Sequence, residues 1–200
     1  MKSTPGFGPV VVSLIVAALL SACSLLPEAA PVQTLDPRPS GGAPFAEAVD
    51  WTLDVARPVT DPVRDSNRVL VRTADGRLQN YASARWVAPS PELLRTLLLR
   101  HARDRNLAAE IQAGGGGGDR LLAIDLRRFE LEQAGAALTA VIELDARLYL
   151  APRYELSRST LISERQALSG ADAAAVNAAF EALLTRLLQQ LGAWVREEPA

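Results

Sequence analysis

The segment "ALTAVIELDARLYL" at residues 137–150 decides the fold, because polar and apolar side chains alternate along most of its length. From Ile142 to Leu150 the even-numbered positions are apolar, whereas the odd positions of 143–147 are charged. This alternation predicts a long β-strand with one buried and one solvated face, which is typical of antiparallel sheets.

The segments on either side of this strand extend the pattern. "RLLAIDLRRFELEQ" at residues 120–133 also alternates, but its apolar positions change parity between Leu126 and Phe129, which predicts a β-bulge. "YELSRSTLISERQAL" at residues 154–168 is predicted to return beside the long strand as a further strand.

Two other segments have helical periodicity. "SPELLRTLLLRHARD" at residues 90–104 repeats apolar residues at i, i+3, i+4 and i+7, and Ser90 is suited to cap its N-terminus. Residues 171–196 carry one broad apolar stripe from Val176 to Val195, which predicts a second amphipathic helix lying across the sheet.

The N-terminal half contributes shorter strands. "WTLDVA" at residues 51–56 alternates, and residues 67–82 are predicted to form a hairpin around the Asp75-Gly76 turn. Residues 32–35 are predicted to add one short strand. The resulting order predicts an α+β fold, with a largely antiparallel sheet and two amphipathic helices packed on one of its faces.

Residues 114–118 are five consecutive glycines. A phosphate-binding loop would need a following Gly-Lys-Ser/Thr sequence, or glycines in Gly-x-Gly-x-x-Gly spacing, and the chain has neither at this point. We therefore interpret the run as a flexible connection.

Candidate catalytic residues are few. His101 is the single histidine and lies on the apolar stripe of the first predicted helix, which favours a structural role with its hydrogen bonds satisfied. The acidic residues Glu130, Glu132, Glu143 and Asp145 occupy strand faces that we expect to be solvated. A zinc site would have to consist almost entirely of carboxylates, so we expect no metal and no enzymatic activity.

Tyr81 and Trp86 flank the passage from the hairpin to the first helix. One interpretation is that both aromatic side chains fill the corner between sheet and helix. The alternative is that they belong to a partner-binding surface, because aromatic residues are enriched at interface anchors.

Cys23 is the single cysteine and follows an apolar run at residues 10–20. That run is shorter than the roughly 20 residues of a transmembrane helix and fits the hydrophobic region of an export signal. It leads into Leu-Ser-Ala-Cys, the lipobox pattern of bacterial lipoproteins, which predicts cleavage before Cys23 and attachment of diacylglyceryl and N-acyl groups, palmitate among them. No other cofactor is expected, and Ser24 favours sorting to the periplasmic face of the outer membrane.

These observations divide the chain into a signal peptide at residues 1–22, an acylated N-terminus and proline-rich tether at 23–48, and one domain at 49–197. The mature chain carries 20 arginines and 23 acidic residues, a net charge of −3. The absence of a basic excess disfavours nucleic-acid binding. Membrane attachment is expected to come from the acyl chains.

The order of several motifs resembles a known family. After the lipobox come "TLDPRP", "RVLVR", "GRLQNYASARWVAPSPELL" and "GDRLLAIDLRRFEL", and then an amphipathic helix that ends near a tryptophan. From Cys23 to about Val195 the chain is similar to the ABC-type transport auxiliary lipoproteins, the group that includes the PqiC (YmbA) lipoproteins.

The resemblance implies a non-catalytic auxiliary component of a lipid transport system in a Gram-negative envelope. Such a lipoprotein would form the outer-membrane end of the system, dock an MCE-domain protein that works with an ABC ATPase and a permease, and assemble into a homo-oligomer. The cargo would be phospholipid or another hydrophobic compound. Two alternatives remain open: a lipid-binding module that holds the cargo, and a structural lipoprotein of envelope assembly.

Overall fold

A computed structural model describes residues 31–114 and 116–197 of the chain. In these ranges the chain forms eight strands and two helices. Their bounds are β1 Gln33–Leu35, β2 Thr52–Val55, β3 Arg68–Arg72, β4 Leu78–Trp86, α1 Ser90–Asp104, β5 Glu110–Gln112, β6 Arg120–Ala134, β7 Ala137–Leu150, β8 Glu155–Ala167 and α2 Ala173–Arg196. The predicted signal peptide lies outside the described residues.

Strand β6 is the centre of a single mixed sheet. One of its edges pairs with β7, which in turn pairs with β8, and both pairings are antiparallel. Its other edge is shared by two strands: β2 runs parallel to its first half, and β3 runs parallel to its second half. Strand β5 extends the sheet beyond β2, while β4 and β1 extend it beyond β3.

The sheet is therefore mixed, and the prediction of a largely antiparallel sheet was wrong. Strands β1 and β4, β2 and β5, β2 and β6, and β3 and β6 all pair in parallel. Parallel neighbours need a crossover connection, and the segment containing α1 supplies one between the β3–β4 hairpin and β6. The α+β class and both helices are confirmed.

The local predictions for the sheet are confirmed in most places. Strands β3 and β4 form the predicted antiparallel hairpin, and β8 returns beside β7. The register of β6 shifts between Leu126 and Arg128, at the predicted bulge. Strand β5 was not predicted, because three residues are too few to show a period.

Part of the predicted tether belongs to the domain. Strand β1 pairs with β4, and Leu35 is only 5% exposed. Beyond it, the Arg38 backbone N donates to Glu181 Oε1 at 3.0 Å and the Ser40 backbone N donates to Thr185 Oγ1 at 3.1 Å. The short strand predicted at residues 32–35 is therefore confirmed, and the predicted tether at residues 23–48 is bound to the sheet and to α2 in its described C-terminal part.

Both helices and the inner face of the sheet share one hydrophobic core. Helix α2 begins after Asp172, whose carboxylate accepts from the Ala175 backbone N at 2.7 Å. Helix α1 begins after Pro89, so the prediction that Ser90 caps it was wrong: its hydroxyl donates to the Arg64 carbonyl at 2.5 Å. Among the described residues, neither helix is long and apolar enough to cross a bilayer.

Candidate functional site

Cys23 lies outside the described residues. Its acylation, and the cleavage before it, therefore stay predictions from the sequence.

Trp86 lies in the core and not on the surface. Its side chain is 1% exposed and packs edge-on against Phe129 and Phe180, with ring centroids 5.2 and 4.7 Å away. The hypothesis that Trp86 belongs to a partner-binding surface is thus corrected, because a buried ring has no solvent-accessible surface that a partner could contact. Its role is to fill the junction between β4, β6 and α2.

Tyr81 is half-buried, and its hydroxyl donates to the Ala171 carbonyl just before α2. Partial burial, assisted by the negative charge of Asp172, raises the pKa of its hydroxyl. The side chain joins β4 to the start of α2. A contact between Tyr81 and a partner stays a prediction.

Glu130 is completely buried, so the expectation that it lies on a solvated strand face was wrong. Its carboxylate accepts from Arg72 Nε at 2.6 Å and from Arg128 Nε at 3.1 Å, and it also binds Arg64. Burial raises the pKa of this carboxyl, but the hydrogen bond from Arg72 and the charge of Arg64 outweigh it, so the pKa is lowered. The ionised group holds three arginines from separate segments.

This cluster fixes the loop that precedes β3. Arg64 lies in that loop and also binds Asp61, while Arg128 continues the network to Glu132. Charge-assisted hydrogen bonds of this kind are roughly twice as strong as neutral ones. The loop is therefore held to the centre of the sheet.

Two glycines of the run, Gly114 and Gly116, bind a carboxylate, which argues against the interpretation of the run as a flexible connection. Asp54 of β2 is 1% exposed and accepts from the backbone N of Gly114 at 2.5 Å and of Gly116 at 2.6 Å. A Cβ on Gly118 would lie 2.8 Å from the Asp54 backbone N. The loop thus binds an anion, but the anion is the protein's own side chain.

His101 is buried, as its position on the apolar stripe indicated, and is 5% exposed. Neither ring nitrogen has a hydrogen-bond partner in the described part of the chain, so the expectation of satisfied hydrogen bonds was wrong. Desolvation, and secondarily the charge of Arg105, lower the pKa of the imidazole. Within residues 31–114 and 116–197, no group of three His, Cys, Asp or Glu side chains is placed to hold a metal ion.

A concave surface lies at the junction of the hairpin and α1. It is an open groove of about 670 Å³ between the loop at residues 62–68 and the segment at 87–89. Val63 and Val87 are each 52% exposed on its walls. Hydrogen bonds from the Trp86 backbone N to the Asn67 carbonyl (2.7 Å) and from the Ser90 backbone N to the Ser66 carbonyl (3.1 Å) join the two walls. The sequence carries no sign of the groove, because its walls come from two loops that have no periodicity.

Several solved structures share this fold. Protein XCC0632 from Xanthomonas campestris is 35% identical, superposes with a TM-score of 0.69, and the match covers 82% of this chain and 92% of that one. A crystal structure of an uncharacterized protein is 13% identical, with a TM-score of 0.63 over 82% of this chain and 99% of that one. The hypothetical protein CT253 from Chlamydia trachomatis is 5% identical, with a TM-score of 0.51 over 74% and 99%.

No curated protein matches the sequence significantly. The model of the family described as "ABC-type transport auxiliary lipoprotein component" matches residues 34–192, which is nearly the whole described domain. The chain therefore belongs to the ABC-type transport auxiliary lipoprotein family.

Proposed function

We propose that this protein is the lipid-anchored, non-catalytic end of an ABC transport system that moves phospholipid or another hydrophobic compound across the cell envelope. It is held at the periplasmic face of the outer membrane by the acyl chains on Cys23, and its domain docks an MCE-domain protein of the same system. The observation that carries the proposal is the family match over residues 34–192.

An acyl anchor suits such a docking role. It confines the domain to one membrane surface and so raises its effective concentration for a partner that arrives from the opposite membrane. Strand β1 and the backbone N atoms of Arg38 and Ser40 are bound to the domain, so nine residues of sequence separate Cys23 from the first bound strand. A shorter linker keeps the docking domain nearer the membrane surface.

A lipid-binding module is the second candidate, and the packing of the domain argues against it. A carrier needs a cavity of about 300 Å³ or more between its layers to hold a lipid chain. The enclosed space between β2, α1 and α2, lined by Leu53, Leu98 and Leu191, measures about 10 Å³. Large core side chains such as Trp86 and Phe180 fill the adjoining volume.

Affinity purification of the full-length lipoprotein from detergent-solubilised membranes of its host tests the proposal. We expect an MCE-domain protein to co-purify, together with the ATPase and permease of its transporter. The matched control is a lipoprotein of the same host with an unrelated periplasmic domain. Recovery of unrelated envelope proteins alone would favour the structural lipoprotein of envelope assembly.

A further inference from the structure

Two arginines of the hairpin face each other, and neither has a charge partner among the described residues. Arg68 of β3 and Arg85 of β4 are directly opposed in the antiparallel ladder, and both are exposed. Opposed residues point to the same face of a sheet with Cβ atoms about 5 Å apart, where like charges destabilise the pair. The pairing therefore costs stability in the isolated domain.

Nearby acidic groups do not compensate this charge. Across the described residues, Arg68 and Arg85 form no ion pair, and the one side-chain hydrogen bond is from Arg85 Nε to Thr34 Oγ1 at 3.4 Å. The acidic side chains of the neighbouring loop are already bound: Asp61 to Arg64, and Asp65 to Arg57. Two guanidinium groups thus remain available to an external anion.

The arginine pair adjoins the groove described above. Arg68 lines it, together with the exposed apolar side chains of Val63 and Val87. The walls are joined by backbone hydrogen bonds, and one of them is anchored through Arg64 to the buried Glu130. A preformed site loses little conformational entropy on binding, which favours affinity.

We propose that this groove docks a segment of a partner protein in which an acidic residue stands next to an apolar one. The carboxylate would accept from the guanidinium groups of Arg68 and Arg85, whose planar donors match carboxylate geometry. The apolar side chain would pack between Val63 and Val87. This inference rests on the proposed function, because it identifies the surface and the partner chemistry of the docking step.

The observations favour a protein over an anionic membrane surface. Recognition of anionic lipid by a basic surface takes clusters of about four to eight basic residues. Here two arginines stand beside apolar walls, in a mature chain whose net charge is −3. A narrow pair of guanidinium groups with an adjacent apolar groove suits one side-chain carboxylate.

Site-specific photo-cross-linking in the host tests the inference, with a benzoylphenylalanine at Val87 of the full-length lipoprotein. Leu161, which is 56% exposed on β8, is the matched position away from the groove. We expect the Val87 probe to cross-link to another envelope protein, at a site that mass spectrometry places beside an Asp or Glu. The Leu161 probe should not form this product.

Charge reversal then tests the arginines. R68E/R85E should lower the Val87 cross-link about tenfold or more, which corresponds to about 1.4 kcal/mol. R100E/R103E changes the charge equally, at exposed arginines of α1 that have no ion pair in the described part of the chain, and should leave the yield unchanged. R68Q/R85Q should also lose the product while melting at an equal or higher temperature, because it removes the repulsion without adding a new one.

Several results would overturn the inference. They are cross-links only to lipid or to a second copy of this chain, a target segment without acidic residues, no cross-link at all, or equal yields from R68Q/R85Q and wild type. If affinity-purified wild type and R68Q/R85Q retain the same transporter components, the inference fails while the proposed function stands. If wild type retains none, the proposed function itself fails.

Discussion

At the residue scale, Asp54, His101 and Glu130 are each at most 5% exposed, and each is accommodated differently. Glu130 is ionised and bound by three arginines, and Asp54 is bound by backbone amides. His101 has no such partner within the described residues, and its burial favours the neutral form of the imidazole. Buried groups that depend on a partner or on neutrality make stability sensitive to substitution and to pH.

Glu130→Gln tests the arginine cluster. The amide keeps the shape of the side chain but removes the buried counterion that three arginines share, and Arg64 keeps only its partly exposed partner Asp61. We therefore expect the free energy of unfolding to fall by about 3–5 kcal/mol. Urea denaturation of the purified domain measures it. Glu132→Gln is the control: Glu132 is 28% exposed in its pairs with Arg128 and Arg165, and its loss should cost less than about 1 kcal/mol. Equal losses would contradict a special role for Glu130.

His101 predicts a decline of stability in weak acid. Its pKa is lowered in the folded state, whereas the unfolded chain has the ordinary value of about 6.5, so the unfolded state binds more protons below pH 6.5. Stability should therefore fall as the pH drops from about 6.5 toward the folded-state pKa, and should show no such dependence above 6.5.

The chain has one histidine, so His101→Leu gives a direct control in a domain without a histidine tag. We expect the free energy of unfolding of this variant to vary less with pH between about 5 and 6.5 than that of wild type. Parallel curves for the two proteins would show that His101 is not the titrating group.

At the element scale, alternation and helical periodicity predicted most strands, the hairpin, the β6 bulge and both helices. They did not predict strand direction, because alternation reports which face of a strand is buried and not which way its neighbour runs. They also did not predict the hydrogen bonds that hold Gly114 and Gly116, because the acceptor, Asp54, lies far away in sequence on β2. Long-range hydrogen bonds to a single side chain leave no local pattern.

Asp54→Asn tests whether this side chain orders the glycine loop. An amide is a weaker acceptor than a carboxylate, so the hydrogen bonds from Gly114 and Gly116 should weaken and the loop should open more often. Hydrogen exchange should show faster exchange at residues 113–118. Glu110→Gln removes an exposed carboxylate from the neighbouring β5 and should leave exchange in the loop unchanged. Unchanged exchange in Asp54→Asn would mean that the loop is ordered by other contacts.

At the scale of the whole molecule, Trp86 and the groove differ in how far the sequence predicts them. Of the two interpretations of Trp86, packing in the corner between sheet and helix is confirmed and the partner-binding surface is wrong. The opposed arginines become visible only once the register of β3 against β4 is known. The motif order nevertheless led to the correct family, because it reflects the succession of core positions along the chain.

Cys23→Ser tests how the molecule is held in place. The hydroxyl cannot take the place of the thiol in acylation, so we expect the variant to leave the membrane fraction, or to remain uncleaved and held by its signal segment. Fractionation with immunoblotting and a mass measurement separates these forms. Cleaved, unacylated protein that still sediments with membranes would show that the domain itself binds the bilayer.

Two strands, β2 and β3, pair in parallel with the same edge of β6, and this arrangement affects the order in which the domain folds. Strand β2 has its described neighbours only in β5 and β6, which follow the hairpin and α1 in the chain. A chain that emerges with its N-terminus first therefore keeps β2 unpaired until the hairpin and α1 are outside the ribosome or translocation channel. Non-local pairing of this kind slows folding and keeps the early part of the chain open to chaperones. On this order of events, the predicted acylation of Cys23 would take place before the domain has folded.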